Sequence, residues 1–111
     1  MNRNYRRLRF WATMPAIAAL LLPYLEDIDE GVRFRAVEAL LHQGQQDVVA
    51  EPLLRLLLNK AEESRRIKIR IVEGMADAGL TVTDRAAVER VIDDLGIDAK
   101  VDDKGRIKRR G

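Results

Sequence analysis

The chain of 111 residues has no cysteine, which excludes disulfides, thiolate metal ligands and a cysteine nucleophile. It has a single histidine, His42, and it lacks a serine–histidine–aspartate set, a zinc-ligand spacing and a glycine-rich phosphate loop. Aromatic residues make up only 5%, and the apolar residues are mostly Leu, Ile, Val and Ala, which is typical of helical proteins. The sequence therefore predicts one mainly α-helical domain that is not an enzyme and holds no cofactor or metal.

The charge is distributed unevenly, although the net charge is only +2. Residues 1–9 and 100–110 each carry a net charge of +4, whereas residues 10–99 carry −6. Basic chain ends are typical of arms that bind nucleic acid or anionic lipid, and solvated ends that keep a small protein soluble are the simpler interpretation. The residues that would contact nucleic acid are Arg6, Arg7, Arg9, Lys104, Arg106, Lys108, Arg109 and Arg110.

The N-terminal segment shares two features with an export signal. A twin arginine, Arg6–Arg7, precedes an uncharged run from Phe10 to Leu25. However, Pro15 and Pro23 interrupt the run, and no small-x-small cleavage site follows it. The run is also shorter than the about 20 residues that a membrane-spanning helix needs. We therefore expect a cytoplasmic protein without a membrane segment.

A repeat runs through the middle of the chain. Residues 32–44 align without a gap on residues 67–79, at an offset of 35. Basic residues coincide at two positions and acidic residues at one, most of the apolar positions agree, and both segments end in glycine. The preceding Leu20–Leu21 and Leu53–Leu54 match at an offset of 33. Such a period predicts two copies of one structural unit.

Each unit is predicted to consist of a helix, a short acidic turn and a second helix. In the first unit, Pro23 should bend the first helix, and Asp27 or Asp29 can cap the second. Gly44 can end that second helix, and Pro52 suits an early turn of the helix that follows. Spacings of three and four residues select the faces that point to the core. These residues are Ile17, Leu20, Leu21, Tyr24, Leu25, Val32, Ala36, Val37, Leu40, Leu41, Leu53, Leu54, Leu57, Leu58, Ile67, Ile71, Val72, Met75 and Ala76.

Two segments have the alternating pattern of a β-strand. Residues 67–71 alternate between apolar and basic side chains, but because they align with helical residues of the first unit we predict a helix. Residues 97–101 also alternate, and residues 106–109 can return as a second strand after the turn residues 102–105. The resulting hairpin would have to rest on the last helices, since two strands alone are marginally stable.

One further helix is predicted between the second unit and this hairpin. Thr83 or Asp84 can cap it, and Gly96 can end it. Its apolar face consists of Val88, Val91, Ile92 and Leu95. Together with the hairpin it would close the end of the repeat array, because a terminal unit must cover its apolar face.

The first unit contains the pattern Leu25-Glu26-Asp27-x-Asp29-x-x-Val32-Arg33-x-x-Ala36-x-x-Ala39-Leu40. This pattern resembles the HEAT-repeat signature, in which the second helix begins with Val-Arg after an acidic turn. The second unit departs from it, with Lys68 in place of the arginine and a longer turn. The chain is also similar to the C-terminal end of bacterial HEAT-repeat proteins of undefined function. The resemblance implies an α-α superhelix, or solenoid, of two helical hairpins with a further helix and a short C-terminal β-hairpin, acting as a protein-binding scaffold.

The polar stripe of the second helices is the expected recognition surface of such a solenoid. The residues predicted to bind a protein partner are Arg35, Glu38, His42, Arg70, Glu73 and Asp77. Alternatively, the Arg35–Glu38 and Arg70–Glu73 pairs are exposed intrahelical pairs that serve only solubility. Separately, Arg33 and Lys68 are expected to bridge the turns of neighbouring units, near Asp29 and Glu63.

The chain is expected to divide into four segments. They are a basic N-terminal segment (1–14), two helix pairs within 15–79 (about 15–44 and 47–79), a capping helix (80–96) and a basic C-terminal hairpin and tail (97–111). Because residues 1–14 match neither repeat, they either cap the first unit or leave Ile17, Leu20 and Leu21 open to a missing repeat or a second copy of the chain. A homo-oligomer through this open N-terminal end is therefore one predicted assembly.

Overall fold

The structure, a computed structural model, describes residues 17–43 and 46–109. Residues 17–21 are α-helical and continue into a 3-10 helix, η1 (Leu22–Glu26), which has Pro23 in its first turn. Four α-helices and an antiparallel pair of strands follow: α1 (Glu30–Gln43), α2 (Gln46–Leu58), α3 (Arg65–Ala78), α4 (Arg85–Leu95), β1 (Ala99–Val101) and β2 (Ile107–Arg109). The predicted mainly helical fold with a short C-terminal hairpin is confirmed.

Helices α1 and α3 are equivalent in length and in register. Each has 14 residues, and the offset of 35 relates their first and their last residues. Their N-terminal caps are equivalent too: Val32 N–H donates to Asp29 Oδ1 at 3.2 Å, and Ile67 N–H donates to Ser64 Oγ at 3.3 Å. Of the two predicted caps, Asp29 therefore caps α1, and Asp27 instead accepts from Asp29 N–H at 2.8 Å. The repeat in the sequence corresponds to a repeat in local structure.

Helix α2 differs from its prediction at Pro52. This residue lies in the helix interior, not in the early turn that the sequence predicted. A proline there has no N–H to donate to the carbonyl of Val48, and it weakens the helix by about 3 kcal/mol. The helix continues past Pro52 because Leu53 and Leu57, which follow the proline, are fully buried. Burying these two side chains offsets the free energy that the proline costs. The predicted stop at Gly44 lies outside the described residues.

The C-terminal elements follow the predicted signals closely. Residues 67–71 are helical within α3, despite their alternating pattern. Gly79 ends α3 and Gly96 ends α4, with left-handed φ values of 68° and 67° that favour glycine. Asp84, rather than Thr83, caps α4 because its side chain accepts the Ala87 N–H at 3.1 Å.

The elements pack mainly on their neighbours in the chain. Helix α1 contacts η1, α2 and α3, whereas α4 contacts α2 and α3. The hairpin rests on the last two helices as predicted, with β1 against α4 and β2 against α3, and it buries Val101 and Ile107. The residues predicted to face the core in α1 to α4 are buried, except for five that are partly buried: Val32, Leu41, Leu58, Ala76 and Val91.

The predicted apolar face of the first helix is wrong in part. Ile17, Leu20 and Tyr24 are 41%, 70% and 50% exposed, whereas Ala18 and Leu25 are buried. Together with Leu21 and Leu22, which pack on the core, these two residues form the inner face. Both sets of residues have helical spacing, so periodicity alone cannot choose between them. Ile17 and Leu20 belong to the N-terminal face that the sequence predicted to be open to a missing repeat or a second copy of the chain. That assembly stays a prediction.

Candidate functional site

The joint between the two helical units is held by Arg33 at the start of α1. Its Nη1 donates to the carbonyls of Asp27 and Ile28, at 2.9 and 3.0 Å. Its Nε and Nη2 donate to Glu62 Oε1 and Oε2, at 2.7 and 3.1 Å. Arg33 therefore bridges the turns of neighbouring units as predicted, but its acidic partner is Glu62 rather than Glu63. Lys68, the equivalent cation of α3, makes no ion pair with any described residue.

Glu62 is the buried acid of this joint, with 2% of its side chain exposed. Besides the two Arg33 bonds, its Oε2 accepts the Ser64 N–H at 3.0 Å. Burial raises the pKa of Glu62, but the bonds from Arg33 and Ser64 outweigh burial and leave the pKa below its usual value. The carboxylate therefore stays charged and paired at neutral pH.

A second polar contact joins the first turns of α1 and α3. Arg66 donates from Nε and Nη2 to the two carboxylate oxygens of Glu30, both at 2.7 Å, and Ser64 Oγ donates to the same carboxylate at 2.5 Å. These bonds, with the one from Arg66 contributing most, lower the pKa of Glu30 to about 2. The Arg66 guanidinium also lies over the Phe34 ring, 4.1 Å from its centroid.

Further along the same two helices, a cleft of about 630 Å³ opens between α1 and α3. At one side of it, Arg70 Nε lies 3.5 Å from Glu38 Oε2. The cleft contains both signs of charge, the single histidine and several small side chains. Its lining residues are Glu38, Ala39, Leu41, His42, Arg70, Gly74, Asp77 and Ala78.

The structure brings together four of the six side chains that the sequence predicted for partner binding. Glu38, His42, Arg70 and Asp77 line the cleft. The other two, Arg35 and Glu73, are exposed outside its lining. Among the described residues, the Arg70 to Glu38 contact joins two helices, and neither predicted intrahelical pair forms. Of the charged residues of this stripe, Glu38 and Arg70 therefore pair between the two helices, and Arg35 and Glu73 make no ion pair with a described residue.

Gly74 is a residue of the cleft that sequence reasoning missed. It is buried in α3, and an added Cβ would lie 2.7 Å from Leu41 Cδ2 and closer still to Leu41 Cδ1. Only glycine therefore lets α1 approach α3 with Leu41 in this position. The one signal in the sequence is a glycine in mid-helix, where it weakens the helix by about 1 kcal/mol and needs a packing reason.

The hairpin contacts one residue of the cleft lining, Asp77. Arg109 Nη2 of β2 lies 3.1 Å from both carboxylate oxygens of Asp77. The sequence placed these two residues in different predicted sites, Asp77 in the protein-binding stripe and Arg109 in the basic C-terminal end. Lys104, Arg106 and Lys108 are exposed on the hairpin. The other predicted nucleic-acid contacts, Arg6, Arg7, Arg9 and Arg110, lie outside the described residues.

No family model, curated protein or solved structure matches the chain. Within residues 17–43 and 46–109, no three histidine or acidic side chains are grouped closely enough to hold a metal ion. No helix in this described part has the length and apolar content needed to cross a membrane.

Proposed function

We propose that the chain is a segment of a HEAT-like α-α superhelix, and that it acts as a cytoplasmic, non-enzymatic scaffold that binds a protein partner in the cleft between α1 and α3. One observation carries the proposal: Glu38, His42, Arg70 and Asp77 converge on one cleft between two equivalent helices. Side-by-side second helices whose polar residues share one face are typical of the binding surface of stacked helical repeats.

The mixed charge of the cleft favours a protein partner. It contains two carboxylates and one guanidinium, and one of the carboxylates already pairs with Arg109 of the hairpin. A polyanion would meet repulsion from Glu38, whereas a peptide segment can offer both an acid and a base at a short distance. The small residues Ala39, Gly74 and Ala78 leave room for a side chain of the partner.

The proposal can be tested by reversing one charge inside the cleft and one outside it. We expect a partner that copurifies with the unmodified chain to be lost with Arg70→Glu and retained with Arg35→Glu. The second variant is the matched control, because it makes the same change of charge at the equivalent position of α1, outside the cleft lining. Circular dichroism should show that both variants keep the helical content. Equal retention of every copurifying protein by the two variants would contradict binding in this cleft.

The contact can also be mapped directly with a photo-crosslinking amino acid. We expect adducts when it replaces His42, which lines the cleft, and none when it replaces Glu73, which is exposed on α3 outside the lining. Adducts at position 73 alone would place the partner elsewhere on the molecule.

A further inference from the structure

The outward face of the C-terminal hairpin carries an unusual pair of like charges. Strands β1 and β2 are antiparallel, and their register places Lys100 directly opposite Lys108. Because Ala99, Val101 and Ile107 are buried on the other face, both lysines point outward and are exposed. Cβ atoms of directly opposite residues lie about 5 Å apart, and like charges in that position destabilise a strand pair.

Neither lysine of this pair makes an ion pair with any described side chain, and Arg109, the other exposed cation of β2, is already paired with Asp77. At the turn, Lys104 and Arg106 are also exposed. Asp102 accepts the backbone N–H groups of Arg106 and Lys104 with one oxygen, both at 2.9 Å, which holds its carboxylate in the turn. These bonds, and to a lesser degree the charges of Lys108 and Arg106, lower the pKa of Asp102, so this acid offsets part of the positive charge. Residues 99–109 together carry a net charge of +3.

We infer that this outer face, formed by Lys100, Lys104, Arg106 and Lys108, binds the phosphodiester backbone of a nucleic acid. Arg106 and Lys108 are two residues apart on one face, which spaces them by about 7 Å along the strand and suits a repeating anion. Phosphates placed between Lys100 and Lys108 would remove the repulsion that the free hairpin carries. This surface is separate from the cleft, and its inference does not depend on the proposed protein partner.

An anionic membrane is a poorer match to the same cations. Peripheral membrane binding combines basic residues with apolar side chains that enter the bilayer interface. The exposed large apolar residues of the described chain all lie between Ile17 and Val48, and none is on the hairpin. The hairpin also has no aromatic residue on which a base would stack, so we expect binding to the backbone without sequence preference.

The test is fluorescence anisotropy with a labelled oligothymidylate of about 20 nucleotides and the full chain. With four phosphate contacts, the logarithm of the affinity should fall with the logarithm of salt at a slope of about −3, which is about a 50-fold loss between 50 and 200 mM. The Lys100→Gln/Lys108→Gln double variant should bind at least about tenfold more weakly at low salt, with a slope reduced to about half.

The matched control is Lys60→Gln/Lys68→Gln, which removes the same charge outside the hairpin and should leave the affinity unchanged. The hairpin variant should not lose thermal stability, because it removes a repulsion; its melting temperature checks that it is folded. Equal binding by the two double variants would overturn the inference. So would a chain that binds phosphatidylserine vesicles, loses that binding in the hairpin variant and does not bind the oligonucleotide.

Discussion

Helices α1 and α3 share length, register and cap position, yet α1 meets the second helical unit in a different way from that in which α3 meets the hairpin. The joint of α1 is polar: Arg33 pairs with the buried Glu62, and Glu30 pairs with Arg66. The hairpin meets α3 mainly by burying apolar side chains, with the exposed Asp77 to Arg109 contact at the edge. At the offset of 35, the position of Glu62 corresponds to Ile97. Equivalence in local structure therefore does not imply equivalent contacts, because each joint depends on what the neighbouring element supplies.

The largest effect is expected from breaking the polar joint. Glu62→Ala should lower the free energy of unfolding by about 3 kcal/mol, because it leaves the largely buried Arg33 charge without its partner. Lys68→Ala, which alters the cation at the equivalent position of α3, should change it by less than about 0.5 kcal/mol. Urea denaturation followed by circular dichroism measures both. Similar losses in the two variants would show that the joints are not different.

Making the helices more alike at the cleft should also destabilise the protein. Gly74→Ala copies the alanine that α1 has at the equivalent position 39, and helix propensity alone predicts a gain of about 1 kcal/mol. We expect instead a loss of about 1–2 kcal/mol, because the new methyl group overlaps Leu41. Adding Leu41→Ala should remove that overlap, so the two changes should be less harmful together than their sum. Additive losses in a double-mutant cycle would rule out the contact.

Acid should weaken the contact between the first turns of the two helices. The folded-state pKa of Glu30, about 2, is below the ordinary value of 4.5, so its stabilising contribution is complete above 4.5 and is lost as the pH falls through about 2. The difference in melting temperature between the unmodified chain and Glu30→Gln should therefore shrink from pH 5 to pH 2. The melting-temperature difference between the unmodified chain and Arg66→Gln should shrink over the same pH range, because this variant removes the guanidinium that donates to Glu30. A difference that stays constant over this range would contradict the pairing.

The smallest effect on stability is expected from the exposed Glu38 to Arg70 pair at the side of the cleft. Glu38 and Arg70 are 48% and 33% exposed and 3.5 Å apart, so Glu38→Ala should change the free energy of unfolding by less than about 0.5 kcal/mol. The same variant should weaken binding of the proposed partner. A large loss of stability would show that this pair holds the units together and is not kept for recognition.

The elements of the fold were predictable from local end signals and from the repeat. Asp84 and Gly96 mark the ends of α4, and the offset of 35 correctly assigned residues 67–71 to a helix against their own alternating pattern. The inner face of the first helix was not predictable, since two sets of apolar residues have the same helical spacing there. Pro52 was misplaced because a buried helix can tolerate a proline that an isolated helix would not.

The candidate site was predictable only as a set of residues along two helix faces. The repeat placed Glu38 and Arg70 on equivalent stripes, but their contact depends on how closely the helices approach, which Gly74 and Leu41 determine. The Asp77 to Arg109 contact joins residues 32 positions apart in two different elements. No periodicity connects a helix end to a hairpin, so only the packed structure reveals that the hairpin contacts a residue of the cleft.

The arrangement of contacts along the chain also bears on how fast this protein folds. In the described part, no side-chain hydrogen bond spans more than the 36 positions between Glu30 and Arg66, and the hairpin closes on itself through a short turn. Closing loops of that size costs little entropy beyond what shorter loops cost. Helical proteins generally fold faster than sheet proteins of similar length, so we expect the polar joint at Glu62 to form within the same rapid step as the helices that it connects.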